Sequence, residues 1–294
     1  MKTRTACLAL AALAAAAPAL AQQKMVQVKG SDTLVNLSQV WAETFTDQTG
    51  KMVAVTGGGS GTGIAALIDG KCDVANSSRD ISAKELELAR KKGVIPVGIA
   101  VAVDGLSVVV NAKNPLKALK PEDAGRLFRG EIANWKQLGG ADAPVTLYGR
   151  QPNSGTYVFF QEHVLGKRDY SPKMNQMNGN AQILDSIARD ASAVGYVGVG
   201  YVLGEDGKVR KGIKPLDVVG KDGKAVSALD KQAVKSGRYP LARTLYQYTN
   251  GKPKGDVLAL LQFELSAEGQ KLAEKEGFDA IGDELVKKNQ EAMK

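Results

Sequence analysis

The sequence predicts an α/β protein with two lobes, each a central, mainly parallel sheet flanked by helices. Two observations indicate this fold class. Apolar runs typical of strands alternate with helical periods, and a polar break interrupts the longest apolar run before the alternation resumes. The chain has 294 residues, of which 44% are hydrophobic and 24% are charged. These values exclude collagen, coiled coil and whole-chain disorder, and they fit one large domain or two.

The first part of the chain shows the β-α-β rhythm of a parallel sheet. Strands are predicted at 25–28, 52–56 and 73–75, and helices at 34–49, 64–70 and 82–92. Ser82 with Glu85 three residues later forms a capping box, which predicts the start of the third helix. Residues 94–110 are apolar except at Asp104 and Gly105, a pair too polar for one buried strand. We interpret this break as a crossing between two lobes.

The rhythm then repeats. Helices are predicted at 121–129, 154–164 and 180–189, strands at 145–148, 194–202 and 241–248, and C-terminal helices through 257–272. Pro121 at a first-turn position supports the first of these helices. Residues 203–223 are rich in Gly and Lys, and we expect them to form a surface excursion.

The N-terminal residues have the three parts of a secretory signal peptide. Lys2 and Arg4 are positively charged, residues 6–17 are apolar, and residues 19–21 read Ala-Leu-Ala, which fits a cleavage site. A retained anchor helix is the weaker alternative, because the apolar run is too short to span a bilayer. We expect cleavage after Ala21 and a periplasmic protein.

Cysteine and histidine are scarce. Cleavage removes Cys7 and leaves Cys72 alone, so no disulfide forms within the mature chain, and a small buried side chain is expected at Cys72. His163 is the single histidine, which excludes zinc and iron–sulfur sites and leaves it as the one possible histidine base. It follows Phe159 and Phe160 on a predicted helix, where packing or exposure is the expected role. We expect no metal, no cofactor and no enzyme activity.

Three turns combine Gly with Ser or Thr between a strand and a helix, at 28–33, 56–63 and 148–156. A helix N-terminus presents unpaired N–H groups and partial positive charge, and glycine lets an anion approach the backbone. Arg150 adds a planar guanidinium suited to tetrahedral oxyanions. Ser and Thr are also common helix caps, but three such turns divided between two lobes favour anion binding.

Nucleotide binding is the alternative that the glycine-rich run suggests. Residues 57–63 are glycine-rich, as in a nucleotide-binding loop, but they lack strict Gly-x-Gly-x-x-Gly spacing. No Lys-Ser/Thr pair follows, and Arg79 lies near the place of the expected acidic ribose partner. The formal net charge is +8, yet Lys and Arg are dispersed without interleaved aromatic residues. The sequence therefore predicts neither a dinucleotide site nor nucleic-acid binding.

Six segments stand in an order that resembles the phosphate-specific periplasmic binding proteins of ABC transporters: 30–34, 58–64, 73–79, 132–135, 149–157 and 194–198. The resemblance covers essentially the whole mature chain. It implies a type II binding-protein fold, which closes on one dehydrated inorganic phosphate and delivers it to a membrane permease, and a monomer. The lobes are then expected at 22–104 plus 243–294 and at 105–242, after a signal peptide at 1–21.

The resemblance also implies a set of phosphate ligands, carried over position by position. They are Ser31, Asp32, Thr33 and Leu34 in the first turn, Ser60 and Gly61 in the second, Ser78 and Arg79 after the third strand, and Arg150, Ser154, Gly155 and Thr156 in the second lobe. Two alternatives stay open, since Thr62 is either a further ligand or a helix cap, and Arg79 is either a ligand or a surface ion-pair residue.

One position departs from the family pattern. Many relatives have an aspartate after the third strand that accepts the phosphate proton, and here that position is Ser78. We hypothesise that the acceptor has moved to Asp32 in the first turn, where a carboxylate would repel sulfate, which has no proton to donate. The alternative is that Asp32 caps the helix after Leu34.

Two other functions stay open at this stage. The ligand of such a binding protein is either phosphate or another tetrahedral oxyanion such as sulfate or molybdate. A secreted phosphate-handling enzyme is the second possibility, although the sequence lacks the His and Asp cluster that a catalytic metal site needs.

Overall fold

The computed structural model describes residues 25–204 and 206–294, so the predicted signal peptide lies outside the described residues. The strands are β1 (Val26–Gly30), β2 (Val53–Thr56), β3 (Val74–Ser77), β4 (Pro96–Asn111), β5 (Ala118–Leu119), β6 (Thr146–Arg150), β7 (Asn175–Met177), β8 (Ala193–Gly198), β9 (Ile213–Val219), β10 (Ala225–Val226) and β11 (Ala242–Asn250). The helices are α1 (Val35–Thr49), α2 (Ser60–Ile68), α3 (Ala83–Lys91), α4 (Pro121–Phe128), α5 (Gly155–His163), α6 (Asn180–Arg189), α7 (Lys231–Lys235), α8 (Gly255–Glu264), α9 (Ala267–Lys275) and α10 (Asp283–Met293).

The sheet follows the order β2-β1-β3-β11-β4-β8-β6-β7 and confirms a two-lobed α/β architecture. In the first lobe β1 pairs in parallel with β2 and β3, and in the second β6 pairs in parallel with β7 and β8. The middle is antiparallel, because β11 pairs with β3 and β4, and β4 pairs with β8 and β9. In the described residues, parallel pairing is found in these outer strands and between β5 and β9, a narrower extent than the sequence predicts.

The predicted break at Asp104 lies inside one continuous strand. β4 pairs with β11 up to Gly105 and with β8 from Leu106 onward, so the strand changes its pairing partner at this point. Asp104 is fully buried and lies directly opposite Arg243 of β11. The prediction of a broken strand is wrong, because a buried carboxylate is tolerated when an arginine pairs with it. A lobe boundary at this place stays a prediction.

The surface excursion predicted at 203–223 is also partly wrong. Residues 213–219 form β9, which pairs with both β4 and β5. Ile213, Leu216 and Val218 are buried, while the residues between them are half-buried. Ile213 lies on the face opposite to Leu216 and Val218, so the buried residues show no regular alternation, and the Lys, Gly and Pro residues around them conceal the strand.

Side-chain packing holds the C-terminal helices on the first lobe. Trp41 of α1 is fully buried and its Nε1 donates a hydrogen bond to the Gly269 carbonyl at 2.8 Å. Leu261, Ala273 and Phe278 share its core. This packing fixes the orientation of α1, and with it the turn that precedes the helix.

Two smaller expectations have different outcomes. The capping box of Ser82 and Glu85 is confirmed. Cys72 is only partly buried and lies before β3 rather than within it, and burial raises the pKa of its thiol to about 11. Among the described residues, no helix has the length and hydropathy that a membrane span requires.

Candidate functional site

The three turns selected from the sequence follow the carboxyl ends of parallel strands. The first lies between β1 and α1, the second between β2 and α2, and the third between β6 and α5. Ligands of open α/β sheets bind outside these ends. The turns of the two lobes meet directly, since the Gly61 amide donates to the Asn153 carbonyl at 3.0 Å and Asn153 Nδ2 donates to the Gly58 carbonyl at 2.9 Å.

Four buried hydroxyl groups form a chain between the lobes, which we call the hydroxyl cluster: Thr33, Thr156, Ser78 and Ser60. Thr33 Oγ1 lies 3.0 Å from Thr156 Oγ1, and Thr156 Oγ1 lies 3.5 Å from Ser78 Oγ. Ser78 Oγ lies 3.4 Å from Ser60 Oγ, which also accepts from the Ser78 amide at 3.0 Å. Each of these side chains is at least 99% buried. The cluster gathers one residue from each of four separate segments.

Gly155 lets the N-terminus of α5 reach the hydroxyl cluster. A Cβ atom at this position would lie 2.3 Å from Ser60 Oγ and 2.7 Å from Ser78 Oγ, both in the other lobe. Ser154 precedes it as the N-cap, and its Oγ accepts from the Tyr157 amide at 3.4 Å. The first N–H groups of a helix have no acceptor inside it, so α5 brings amide donors and positive dipole density to the cluster.

Arg150 ends β6 and bridges the lobes. Its Nη2 forms an ion pair with Asp32 Oδ2 and donates to the Asn178 carbonyl at 2.8 Å. Its Nε donates to the Met177 carbonyl at 3.3 Å. The side chain is 2% exposed and that of Asp32 16%. The guanidinium predicted to contact an anion is therefore held in place by one carboxylate and two carbonyl groups.

Asp32 does not cap a helix. The N-cap of α1 is Leu34, and no side chain accepts a hydrogen bond there, so the capping alternative is wrong. Its Oδ1 accepts instead from the Gly58 amide at 2.7 Å, which joins the first turn to the second. A carboxylate oxygen has room for a second donor, so the ion pair with Arg150 leaves acceptor capacity on Asp32.

Three further predicted residues, Ser31, Leu34 and Gly61, form hydrogen bonds that stabilise the turns. Ser31 Oγ accepts from the Thr33 amide at 3.2 Å, and the Leu34 amide donates to the Ser31 carbonyl at 3.2 Å. The Gly61 amide is engaged by Asn153, as described above. These contacts shape the turns and use the amides that the sequence predicted as ligand donors.

Arg79 and Thr62 lie beside the site rather than in the hydroxyl cluster. Arg79 forms a two-pronged ion pair with Glu85 at 2.7 and 2.8 Å, with its side chain only 11% exposed. The ion pair is thus present but mostly buried rather than at the surface, and a contact of Arg79 with the ligand stays a prediction. Thr62 lies within α2, whose N-cap is Gly59, so its capping alternative is wrong. Its Oγ1 accepts from Asn153 Nδ2 at 3.4 Å.

Sequence reasoning missed several residues that shape the site. The Tyr201 hydroxyl donates to the Asp32 carbonyl at 2.5 Å, and Asn180 Nδ2 reaches the same oxygen at 3.4 Å. Burial raises the pKa of Tyr201 to about 12, which keeps its hydroxyl a donor. Nothing in the local sequence marks these side chains.

Arg243 is a second arginine at the site, and its partner is Asp104, the polar residue that stands out in the apolar run of the sequence. Its Nε and Nη2 both donate to Asp104 Oδ2, at 2.9 and 2.7 Å. Its Nη1 donates to the Ser78 carbonyl at 3.2 Å and its Nη2 to Thr33 Oγ1 at 3.4 Å. A single Asp in an apolar run indicates a buried partner, and we interpreted that signal as a break only.

His163 has the expected packing role. Its ring stacks on that of Phe159 with centroids 4.1 Å apart. It lines a cavity of about 330 Å³ beside the site, together with Arg79 and Arg243. Within the described part of the chain, no three His, Cys, Asp or Glu side chains gather where they could hold a metal ion.

Hydroxyl donors, helix N-termini and arginines held by carboxylates are groups that can surround a small oxyanion. Comparison with known proteins agrees with this chemistry. A family model described as a PBP superfamily domain matches residues 14–274. The phosphate-binding protein PstS of Pseudomonas aeruginosa is 32% identical over 305 residues, which cover 95% of this chain and 92% of that protein.

Two solved structures are similar along nearly their whole length. One is a putative phosphate ABC transporter substrate-binding protein from Clostridium perfringens with bound phosphate, with TM-score 0.77, 25% identity, and coverage of 88% of this chain and 100% of that one. The other is an ABC-type phosphate transport receptor from Vibrio cholerae, with TM-score 0.67, 26% identity, and coverage of 86% and 99%. The chain therefore belongs to the PBP superfamily and, within it, to the family of the PstS phosphate-binding proteins.

Proposed function

We propose that this protein binds inorganic phosphate between its lobes in the periplasm and presents it to the permease of an ABC transporter. The observation that carries the proposal is the hydroxyl cluster, where donors from both lobes converge at helix N-termini beside Arg150. The relatives named above are phosphate-binding or phosphate-transport proteins. Sequence identity and site chemistry thus support the same ligand.

The proposed ligands fall into two groups. Thr33, Ser60, Ser78, Thr156 and Arg150 supply side-chain donors, and the Gly155 and Thr156 amides supply backbone donors. Asp32 is proposed as the acceptor of the phosphate proton. The remaining predicted residues, Ser31, Leu34, Gly61, Arg79 and Ser154, hold the turns or flank them.

The arginines at this site are paired with carboxylates, so we propose that local dipoles, rather than net positive charge, stabilise the bound anion. Arg150 is paired with Asp32, Arg243 with Asp104, and Arg79 with Glu85. A buried dianion is costly unless its oxygens are hydrogen-bonded. Helix N-termini and hydroxyls meet that requirement without unpaired arginines.

We propose lobe boundaries at 22–104 plus 243–294 and at 105–242, with β4 and β11 as the connections between lobes. Contacts such as Thr33 to Thr156 join the lobes only when they are closed, so phosphate stabilises the closed form by differential affinity.

We also propose export with cleavage after Ala21, which mass spectrometry of the purified periplasmic protein tests.

Calorimetry on ligand-stripped protein tests the function. We expect phosphate to bind, with much weaker or no binding of sulfate and molybdate. Binding of sulfate or molybdate in preference to phosphate would contradict the proposal. Incubation with a chromogenic phosphoester is a second experiment. Hydrolysis of that ester would indicate an enzyme instead of a transport protein.

A glycine substitution locates the binding in the cleft. Gly155→Ala places a methyl group against Ser60 and Ser78, and we expect phosphate affinity to fall by about a hundredfold or more because the lobes no longer close. Gly282→Ala is the matched control, since Gly282 precedes α10 and a Cβ there meets no atom within 4 Å. Equal affinities of the two variants would place the site elsewhere.

A further inference from the structure

The buried ion pair of Arg243 and Asp104 joins two strands and also contacts the hydroxyl cluster. Arg243 is 2% exposed and Asp104 is fully buried. The two residues lie opposite each other on β11 and β4, where these strands pass between the lobes. The pair is electrically neutral as a unit, so any role at the site depends on its geometry.

Asp104 fixes the guanidinium of Arg243 from one side. Asp104 Oδ2 accepts from both Nε and Nη2, and Asp104 Oδ1 accepts from the Val199 amide at 2.9 Å. β8 approaches closely because Gly198 has no side chain, since a Cβ there would lie 3.0 Å from Asp104 Oδ2. The ring of Phe159 lies 5.3 Å from the guanidinium carbon and covers it. Arg243 is therefore held in a single orientation.

In that orientation, the other side of the guanidinium faces the hydroxyl cluster. Nη1 donates to the Ser78 carbonyl, and Nη2 donates to Thr33 Oγ1. A hydroxyl has one proton to donate, and an arginine can only donate. Arg243 fills one of the two lone pairs of Thr33 Oγ1. When Thr156 Oγ1, which lies 3.0 Å away, donates to the other lone pair, the Thr33 proton is left for a ligand oxygen.

We propose that Arg243, held by Asp104, is a positioning residue that turns the proton of the Thr33 hydroxyl toward the bound anion. The inference rests on the proposed phosphate function and deepens it. An unprotonated oxygen of the anion is then the favoured neighbour of Thr33. The protonated oxygen of phosphate is disfavoured there and directed toward other acceptors, of which Asp32 is one.

A double-mutant cycle on phosphate affinity tests this role. Arg243→Lys keeps the charge beside Asp104, but one ammonium cannot replace the fork that joins Asp104, Ser78 and Thr33. We expect Arg243→Lys to weaken phosphate binding about tenfold, the scale of one oriented hydrogen bond. In a Thr33→Val background the same change is expected to weaken it less than about twofold, because no hydroxyl remains to be oriented.

A purely structural role gives a different result. It would lower phosphate affinity by the same factor with and without the Thr33 hydroxyl, and that outcome overturns the proposal. Asp104→Asn, which loosens the anchor of Arg243, provides a second cycle with Thr33→Val and decides the question if Arg243→Lys does not fold. Unchanged affinity in both single variants also overturns the proposal.

The two proposals fail in different ways. If the wild-type protein binds no phosphate, the proposed function and this inference both fail. If the wild type binds phosphate and the two cycles are additive, only the role of Arg243 is overturned.

Discussion

Two aspartate–arginine pairs lie at the cleft, and they differ in what they connect. Asp32 and Arg150 belong to different lobes, and Asp32 is 16% exposed. Asp104 and Arg243 lie on adjacent strands, where both side chains are almost fully buried. The first pair exists only when the lobes are together, whereas the second is part of the strands that join them. The same chemical pair thus serves closure in one place and permanent geometry in the other.

A stability measurement on ligand-free protein gives the largest expected contrast. Asp104→Ala leaves Arg243 buried without its carboxylate, and we expect a loss of about 3–5 kcal/mol in the free energy of unfolding. Asp32→Ala is expected to lose about 1 kcal/mol, because Asp32 is partly exposed and Arg150 keeps two carbonyl acceptors. Urea denaturation of both variants measures the difference. Equal losses would mean that the two pairs are equivalent in the fold.

For phosphate affinity we expect the opposite order, with the larger effect at the pair of Asp32 and Arg150. Arg150→Ala removes a direct donor and leaves Asp32 unpaired against the anion, so we expect a loss on the order of 3 kcal/mol, about a hundredfold or more. Arg150→Lys is not expected to restore binding, since a point charge lacks the fork. Calorimetry checks both variants. An affinity within about threefold of wild type in Arg150→Ala would remove Arg150 from the site.

Glu264 is a third buried carboxylate, and it sharpens the comparison because no arginine of the described residues pairs with it. Among the residues that the structure describes, the Glu264 carboxylate accepts only from Gln247 Nε2, at 3.2 Å, and its Oε2 has no partner. Burial raises the pKa of Glu264 to about 8. The folded protein therefore keeps a proton that the unfolded chain releases above its ordinary pKa, and stability falls as the pH rises from about 4.5 to about 8.

Glu264→Gln removes this titration. We expect the variant to gain stability relative to wild type by on the order of 3 kcal/mol between pH 5 and pH 8. Urea denaturation at the two pH values measures the gain. The pKa of Asp279, which burial raises to about 6, affects both proteins alike and cancels in the difference. A gain independent of pH would show that Glu264 does not titrate in this range.

The smallest expected effect concerns the choice between phosphate and sulfate. Asp32→Asn replaces the hypothesised acceptor of the phosphate proton, and we expect about tenfold weaker phosphate binding together with newly measurable sulfate binding. Calorimetry with both anions checks this. Asp80→Asn and Asp73→Asn are the matched substitutions. Sulfate binding that appears in one of them but not in Asp32→Asn would assign the acceptor to that residue.

Local sequence signals predicted most of the secondary structure and the turns of the site. The capping box of Ser82 and Glu85 works through bonds within three residues, and the strand–turn–helix pattern places Ser60 and Thr156 at helix starts. Such features depend on neighbours along the chain and are visible in a single sequence. β9 escaped prediction because its buried residues, Ile213, Leu216 and Val218, do not alternate regularly along the strand.

Contacts between distant segments escaped prediction for a different reason. Tyr201 and Asp32 are 169 residues apart, and Arg243 and Thr33 are 210 apart. The sequence placed Asp104 in an apolar run but could not name its partner, since register between β4 and β11 selects Arg243. The two alternatives for Asp32 in the sequence, helix cap or acceptor of the phosphate proton, did not include its ion pair with Arg150, which lies 118 residues away.

The sequence by itself determined the alternation of strands and helices, the glycine-rich turns and the resemblance to phosphate-binding proteins, because periodicity and turn chemistry act over a few residues. The tertiary structure alone decided which arginine pairs with which aspartate and how the four hydroxyls join. Those contacts arise when the lobes and crossing strands meet, and hydrogen bonds of about 3 Å require positions that no local pattern specifies.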